Sequence, residues 1–192
     1  MKLFSVIDCN NEKIINFFTL QETAIIINRL PFFLPFFSKD IIPKLCFVIK
    51  ISRVGRHIEP KFAYKYYNMF SVAIHFIAND ILNDLKSQSL PWDIAVSYDA
   101  SLSLGNFLPY AYESGSTINI NIKYGQSLQQ TVSYCINNYI INNTISRISN
   151  FFTLKNGDII LFPITCIKQE IKENDIIKIS INDISILRLK IK

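Results

Sequence analysis

Lys44 and Cys46, two residues apart in KLCFVIKI, are the first residues whose types could do chemistry. Side chains of an extended strand alternate with a period of two, so this pair points to one side of a sheet. A thiolate and an imidazole suit Zn²⁺, and Cys46, His75 and Cys166 together would make a soft-metal set. Lys44 weighs against it, because an ammonium about 4 Å from a dication is repelled by roughly 8 kcal/mol at an effective dielectric near 20. The preferred reading of Cys46 is therefore a small buried hydrophobe. Among the other titratable residues, Asp80 reads as a helix cap, Asp99 as a turn residue, and His57 as a surface histidine beyond a strand end.

The elements that must position these residues follow from pattern. Residues 45–51 are apolar or β-branched at nearly every position, which predicts a central strand buried on both faces and closed by Arg53-Val54-Gly55. Residues 2–7 predict a short strand, 8–13 a turn or short helix, and 17–27 one or two further strands. Prolines four apart in LPFFLPFF (30–37) exclude a regular helix and favour an extended, edge-like path. Glu59-Pro60 opens a helix to about residue 68 with Phe62, Tyr66 and Met69 on one face. Residues 70–77 read as a buried strand, 81–86 as a helix, and 90–107 as a long loop feeding a short strand. Strict alternation in 117–123 predicts a strand that turns at Tyr124-Gly125-Gln126 into a second, running to residue 130. An amphipathic helix is expected over 133–152, then a tight turn at 155–158 into a strand at 159–162. A last hairpin alternates Ile177, Ile179 and Ile181 with Leu187, Leu189 and Ile191. Strands dominate, so the fold class is α+β, mostly β, with a mixed sheet rolled or sandwiched on itself and a few short helices.

Composition limits the function classes. With 192 residues and 49% hydrophobic content one sizeable core can form, and one domain spanning residues 1–192 is expected. The net charge of +5 comes from scattered lysines and arginines nearly balanced by acids, which argues against a nucleic-acid partner. Residues 2–7 are too short for the apolar region of an export signal. Residues 24–37 are interrupted by Asn28, Arg29, Pro31 and Pro35, so no membrane partner is expected. Cys9, Cys46, Cys135 and Cys166 form no CxxC pair and read as reduced thiols of a cytoplasmic protein.

In order and spacing, several segments resemble the fumarylacetoacetate hydrolase superfamily, in its small acylpyruvate hydrolase or 2-hydroxyhepta-2,4-diene-1,7-dioate isomerase form. They are PFFLPFFSKD (31–40), RVGRHI (53–58), KFAYKYYN (61–68), LPWDIAVSYDASLSLGNFLP (90–109), LQQ (128–130) and FFTLKNGDII (151–160). The resemblance implies a β-sandwich roll of the fumarylacetoacetate hydrolase C-terminal-domain type and a homodimer. It also implies a Mg²⁺ or Mn²⁺ ion that grips a small 2-oxo acid, held by a Glu-x-Glu on the central strand and an Asp from its neighbour. Those positions here are Lys44, Cys46 and His75, with no carboxylate among them.

Further positions implied by the resemblance depart in the same direction. The Arg and Gln that hold substrate fall on Asn79 and Leu82, a lysine falls on Val96, and the Gly-Thr-Pro turn of the metal pocket reads Pro163-Ile164-Thr165. The histidine that activates water falls near Lys13, and the N-terminal part, residues 1–30, is shortened so that the lid is deleted. The expectation is a member of this superfamily with no catalytic residues and no cofactor. It would keep a vestigial substrate pocket at Asn79, Leu82, Val96 and Thr165, which Leu82 and Val96 would make drier. The rival expectation is a metal-dependent hydrolase or isomerase of small 2-oxo acids such as acylpyruvates. A third is a module that only binds a partner.

Overall fold

The apolar run expected at the centre is the longest part of a strand that lies in mid-sheet and is covered on both sides. A computed structural model describes residues 1–7, 16–26, 30–125, 128–167 and 171–192. Strand β3 (Ile41–Ile51) begins four residues earlier than its apolar run, and runs between β4 (Tyr67–Ala78) and β9 (Ile159–Cys166), antiparallel to both. Leu45, Phe47, Ile49 and Ile51 enter the main core, while Cys46 and Val48 enter a smaller cluster on the opposite face with Leu3, Ala73 and Leu161. Full burial of such side chains stabilises by about 1.5–3 kcal/mol each.

The seven-stranded sheet runs β2-β1-β9-β3-β4-β5, with β6 also paired to β4. Here β1 is Leu3–Val6, β2 Phe17–Leu20, β5 Leu102–Leu104 and β6 Leu108–Pro109. It is mixed, because β1 runs parallel to β9 and the other pairs are antiparallel. A four-stranded antiparallel sheet, β11-β10-β7-β8, closes the sandwich. Its strands are β7 (Thr117–Tyr124), β8 (Leu128–Cys135), β10 (Ile176–Ile181) and β11 (Ile184–Lys190). The alternation resolves as expected: Ile118, Ile120, Ile122, Ile177, Ile179 and Ile181 are buried, and Asn119, Lys123 and Lys178 face water. Asn182 and Asp183 both take positive φ, 47° and 64°, the backbone that a two-residue hairpin turn needs to match strand twist. The architecture is α+β and mostly β, with the sheets curled around one main core.

Three local expectations are corrected. The segment expected as a helix to residue 68 is a 3-10 helix, Pro60–Tyr66, and β4 begins at Tyr67 rather than residue 70. With three residues per turn, Ala63 is the residue buried there, while Phe62 is largely exposed. The helix expected over 133–152 is α3, Asn138–Phe151; residues 133–135 belong to β8. Every residue of β7 from Thr117 to Tyr124 finds a partner in β8, so pairing the backbone of a full-length neighbour outweighs a weak helical pattern. Asn137 then starts α3 by accepting the Ile140 N–H on its side chain at 3.1 Å. The loop expected over 90–107 holds a one-turn helix, α2 (Asp93–Val96), ahead of β5.

Residues 30–37 take the extended path that their prolines require. Phe32 donates its N–H to Lys190 O at 2.9 Å and accepts from Lys192 N at 2.8 Å, and its ring stacks on Phe76 with centroids 3.8 Å apart. The expectations for residues 8–13, for the lid position at Lys13 and for Gln126 fall outside the described residues. No helix of the described residues is long and apolar enough to cross a membrane.

Gly105 marks where the two sheets touch. Its N–H bonds Val72 O at 3.0 Å, and the next residue, Asn106, donates to Ile186 O of β11 at 2.9 Å. A Cβ at position 105 would stand 2.6 Å from Ile186 Cγ2 and 2.9 Å from Val72 O. Gly105→Ala is expected to destabilise by about 1–3 kcal/mol through overpacking. A thermal midpoint unchanged from the parent would mean that β11 does not lie against this glycine.

Candidate functional site

Register decides which of the candidate residues meet. Lys44 of β3 pairs with His75 of β4 on one side and with Cys166 of β9 on the other, and Cys46 pairs with Ala73 and Pro163. Directly opposed residues share a sheet face, so His75, Lys44 and Cys166 form one row across three strands, with the lysine in the middle. Cys46 is fully buried below that row, His75 is buried, Lys44 is half-buried and Cys166 is exposed.

His75 is held by the segment after α1 (Asn79–Ser87). Its Nε2 lies 2.6 Å from the carbonyl oxygen of Val96, the last residue of α2. A carbonyl can only accept, so Nε2 carries the proton and donates it, which leaves Nδ1 as the acceptor nitrogen. Burial pushes the His75 pKa down to about 4; the bond to Val96 opposes this and the nearby charge of Lys44 adds to it. The imidazole is therefore neutral at pH 7. Phe18 of β2 stands over this corner, 6.3 Å from the His75 ring and 5.0 Å from the Trp92 ring by centroids. Phe18 carried no signal in the sequence, because its place depends on a strand pairing far from residue 75.

The four pocket positions scatter. Val96 is buried and joined to His75 through its carbonyl. Asn79 is taken up by Asp40, donating from Nδ2 to Oδ2 at 2.6 Å and from its N–H to the Asp40 carbonyl at 2.8 Å. Leu82 is half-buried on α1. Thr165 pairs with Leu45, one position off Lys44, and so belongs to the opposite face of the sheet; its hydroxyl donates to Cys166 O at 3.3 Å. Asp80 is in the first turn of α1, where its carboxylate accepts from Ser38 Oγ at 2.6 Å, Lys39 N at 2.9 Å and Ile81 N at 2.9 Å. The Ser38 hydroxyl above all holds that carboxyl below the usual range. Asp80 thus fastens the segment before β3 to α1, and Asp99 sits in the turn before β5 as expected.

The three ligand-equivalent positions do not fit a hard divalent ion. Mg²⁺ and Mn²⁺ prefer oxygen ligands, whereas Lys44, Cys46 and His75 offer an ammonium, a thiol and an imidazole and no carboxylate. The alternative soft-metal set is also drawn apart: Lys44 separates His75 from Cys166. Among the described residues no three His, Cys, Asp or Glu side chains gather closely enough to hold a metal ion.

Comparison with known proteins agrees with the fold. The model of the fumarylacetoacetate (FAA) hydrolase C-terminal family matches residues 5–192. A mitochondrial oxaloacetate tautomerase of Pongo abelii is 25% identical over 176 residues, covering 91% of this chain and 80% of the relative. The Escherichia coli oxaloacetate tautomerase is 26% identical over 148 residues, 75% of this chain and 67% of the relative. Among solved structures, a fumarylpyruvate hydrolase from Pseudomonas aeruginosa in complex with Mn²⁺ and pyruvate superposes with a TM-score of 0.80 at 17% identity. The match covers 100% of this chain and 89% of that one. A 5-carboxymethyl-2-hydroxymuconate delta-isomerase from Mycobacterium smegmatis gives 0.80 at 18%, with 99% and 76% covered. At such identities the structural likeness speaks for the fold alone.

Proposed function

Because the chain belongs to the fumarylacetoacetate hydrolase family, defined by a match over residues 5–192, we propose that it is a member that has given up metal binding and metal-dependent chemistry while keeping the scaffold. The observation that carries this reading is the position of Lys44 between His75 and Cys166. By the resemblance a divalent ion would lie beside this residue, and an ammonium about 4 Å from a dication is repelled by roughly 8 kcal/mol at an effective dielectric near 20. Supporting it, Asn79 is bonded to Asp40 rather than left for a substrate.

The reading includes a homodimer in the cytoplasm, with no nucleic-acid or membrane partner. Scattered charge supports the lack of a nucleic-acid partner. Cys135 and Cys166, both free thiols, support a reducing compartment, and the exposed apolar side chains of Phe33 and Phe36 support self-association.

A second reading is favoured by the relatives, several of which are oxaloacetate tautomerases: a metal-dependent enzyme acting on a small 2-oxo acid. The purified chain, assayed by substrate absorbance for acylpyruvate cleavage and for keto–enol conversion of oxaloacetate, distinguishes the two. The proposal predicts rates equal to the uncatalysed controls with and without Mn²⁺. Turnover that appears with Mn²⁺ and disappears with a chelator would establish the enzyme instead.

A further inference from the structure

Of the five glycines in the chain, only Gly157 follows an asparagine. The pair Asn156-Gly157 lies in the turn that opens β9, at the opposite end of that strand from Cys166. Asn156 is exposed, and Gly157 takes a φ of 92°. Asparagine is one of the heat-labile side chains, because it can react with its own backbone. The nitrogen of the next residue loses its proton and attacks the side-chain Cγ, a succinimide ring closes, and ammonia leaves. Water then opens the ring to aspartate or to isoaspartate. A following glycine is the least hindered case, since no Cβ stands beside the attacking nitrogen. We propose that Asn156 is a spontaneous deamidation site that the fold keeps shut, so that it reacts only when this turn opens.

The electrophile is free and the nucleophile is held. The Asn156 side chain stands in solvent with no hydrogen bond among the described residues. The attacking nitrogen is occupied instead: the Gly157 N–H donates to Ile51 O, at the end of β3, at 2.9 Å. Attack on Cγ needs that nitrogen to give up its proton and swing toward Asn156, and the bond to Ile51 opposes both. Asp158, only 1% exposed, pins the turn from inside. Its carboxylate accepts from the Lys155 N–H and the Lys2 N–H at 2.8 Å each and pairs with Lys2 Nζ at 2.8 Å. The Ile51 N–H donates to Asp158 O at 2.8 Å, and the Asp158 N–H to Lys155 O at 3.1 Å, so residues 155–158 are fastened to β3 and to one another. Breaking these bonds together makes the reactive arrangement a minor state, reached by local opening. Isoaspartate carries one more carbon in the main chain, so the bonds of the turn to Ile51 cannot all re-form. Each event is therefore a one-way record that the start of β9 has come away from β3 and Lys2.

The test incubates the full chain at neutral pH and follows, by mass spectrometry of its digest, the gain in mass left when amide becomes carboxyl. Fragmentation assigns the gain to Asn156. The reference is a synthetic peptide of residues 153–160, TLKNGDII, which has the same reacting groups and no fold. The folded chain is expected to deamidate at Asn156 at least about tenfold more slowly than the peptide. Lys2→Met removes one charged contact from Asp158 and leaves the Lys2 N–H in place. It is expected to speed deamidation by about threefold or more, and to speed hydrogen exchange of the Gly157 amide by the same factor, because one opening controls both. A loss of stability spread over the whole fold would instead speed exchange everywhere. The proposal is overturned if the folded chain reacts as fast as the peptide, if the peptide itself is inert, or if Lys2→Met speeds Gly157 exchange without speeding deamidation.

Discussion

Acidification from pH 7 to pH 4 is expected to destabilise the fold by about 3 kcal/mol through His75 alone. The folded-state pKa is pushed down to about 4 by burial, against about 6.5 in the unfolded chain, and each unit is worth about 1.4 kcal/mol. Between those two values the unfolded state binds a proton that the folded state refuses, so stability rises with pH across that window. The contribution of the neutral imidazole is fully present above pH 6.5, drains away as pH falls toward 4, and changes no further below it. Other groups titrate in acid as well, so the informative quantity is the difference between the parent and His75→Gln. The glutamine amide can still donate to Val96 O and does not titrate. Urea midpoints measured from pH 7.5 to 4 should fall more steeply for the parent, so that its stability relative to His75→Gln drops by about 3 kcal/mol across that range. Parallel curves would show that His75 is not held neutral.

Restoring the family's carboxylates should be costlier still. Lys44→Glu, Cys46→Glu and His75→Asp together place acids where Cys46 is fully buried and His75 is 1% exposed. Buried charges without partners cost several kcal/mol each, against a total stability of about 5–15 kcal/mol for an ordinary domain. Without metal the triple variant is expected to lose at least about 4 kcal/mol and to melt well below the parent. Millimolar Mn²⁺ should then raise its midpoint, since an ion at about 100 times its dissociation constant returns about 2.7 kcal/mol. The parent's midpoint should not respond. A parent that responds as strongly as the triple variant would mean that the ion binds elsewhere. A triple variant that is stable without metal would show that the strand ends are open to water.

The strand framework was legible because its signal is local. Two-sided burial of β3 follows from an unbroken run of apolar residues, and the hairpins follow from alternation that needs no partner to be seen. Boundaries failed where pairing decided them. Residues 133–135 joined β8 because β7 needed partners, and the 3-10 geometry of Pro60–Tyr66 exchanged Phe62 for Ala63 as the buried residue.

The candidate site was legible in part. By the resemblance Lys44 and His75 fall separately on ligand positions, and the sheet sets them directly opposite one another. Thr165 was grouped with them by its place in a turn motif, yet strand β9 continues through it and its register turns it to the other face.

The resemblance puts the charge of Lys44 where the family would hold a divalent ion. Titration of the parent chain with Mn²⁺, followed by the electron paramagnetic resonance signal of the free ion, tests it most directly. The free-ion signal should grow in step with added Mn²⁺, with no stoichiometric uptake at micromolar concentration. Uptake of one ion per chain at that concentration, abolished by Cys46→Ala or His75→Gln, would contradict it and restore a metal centre at these strands.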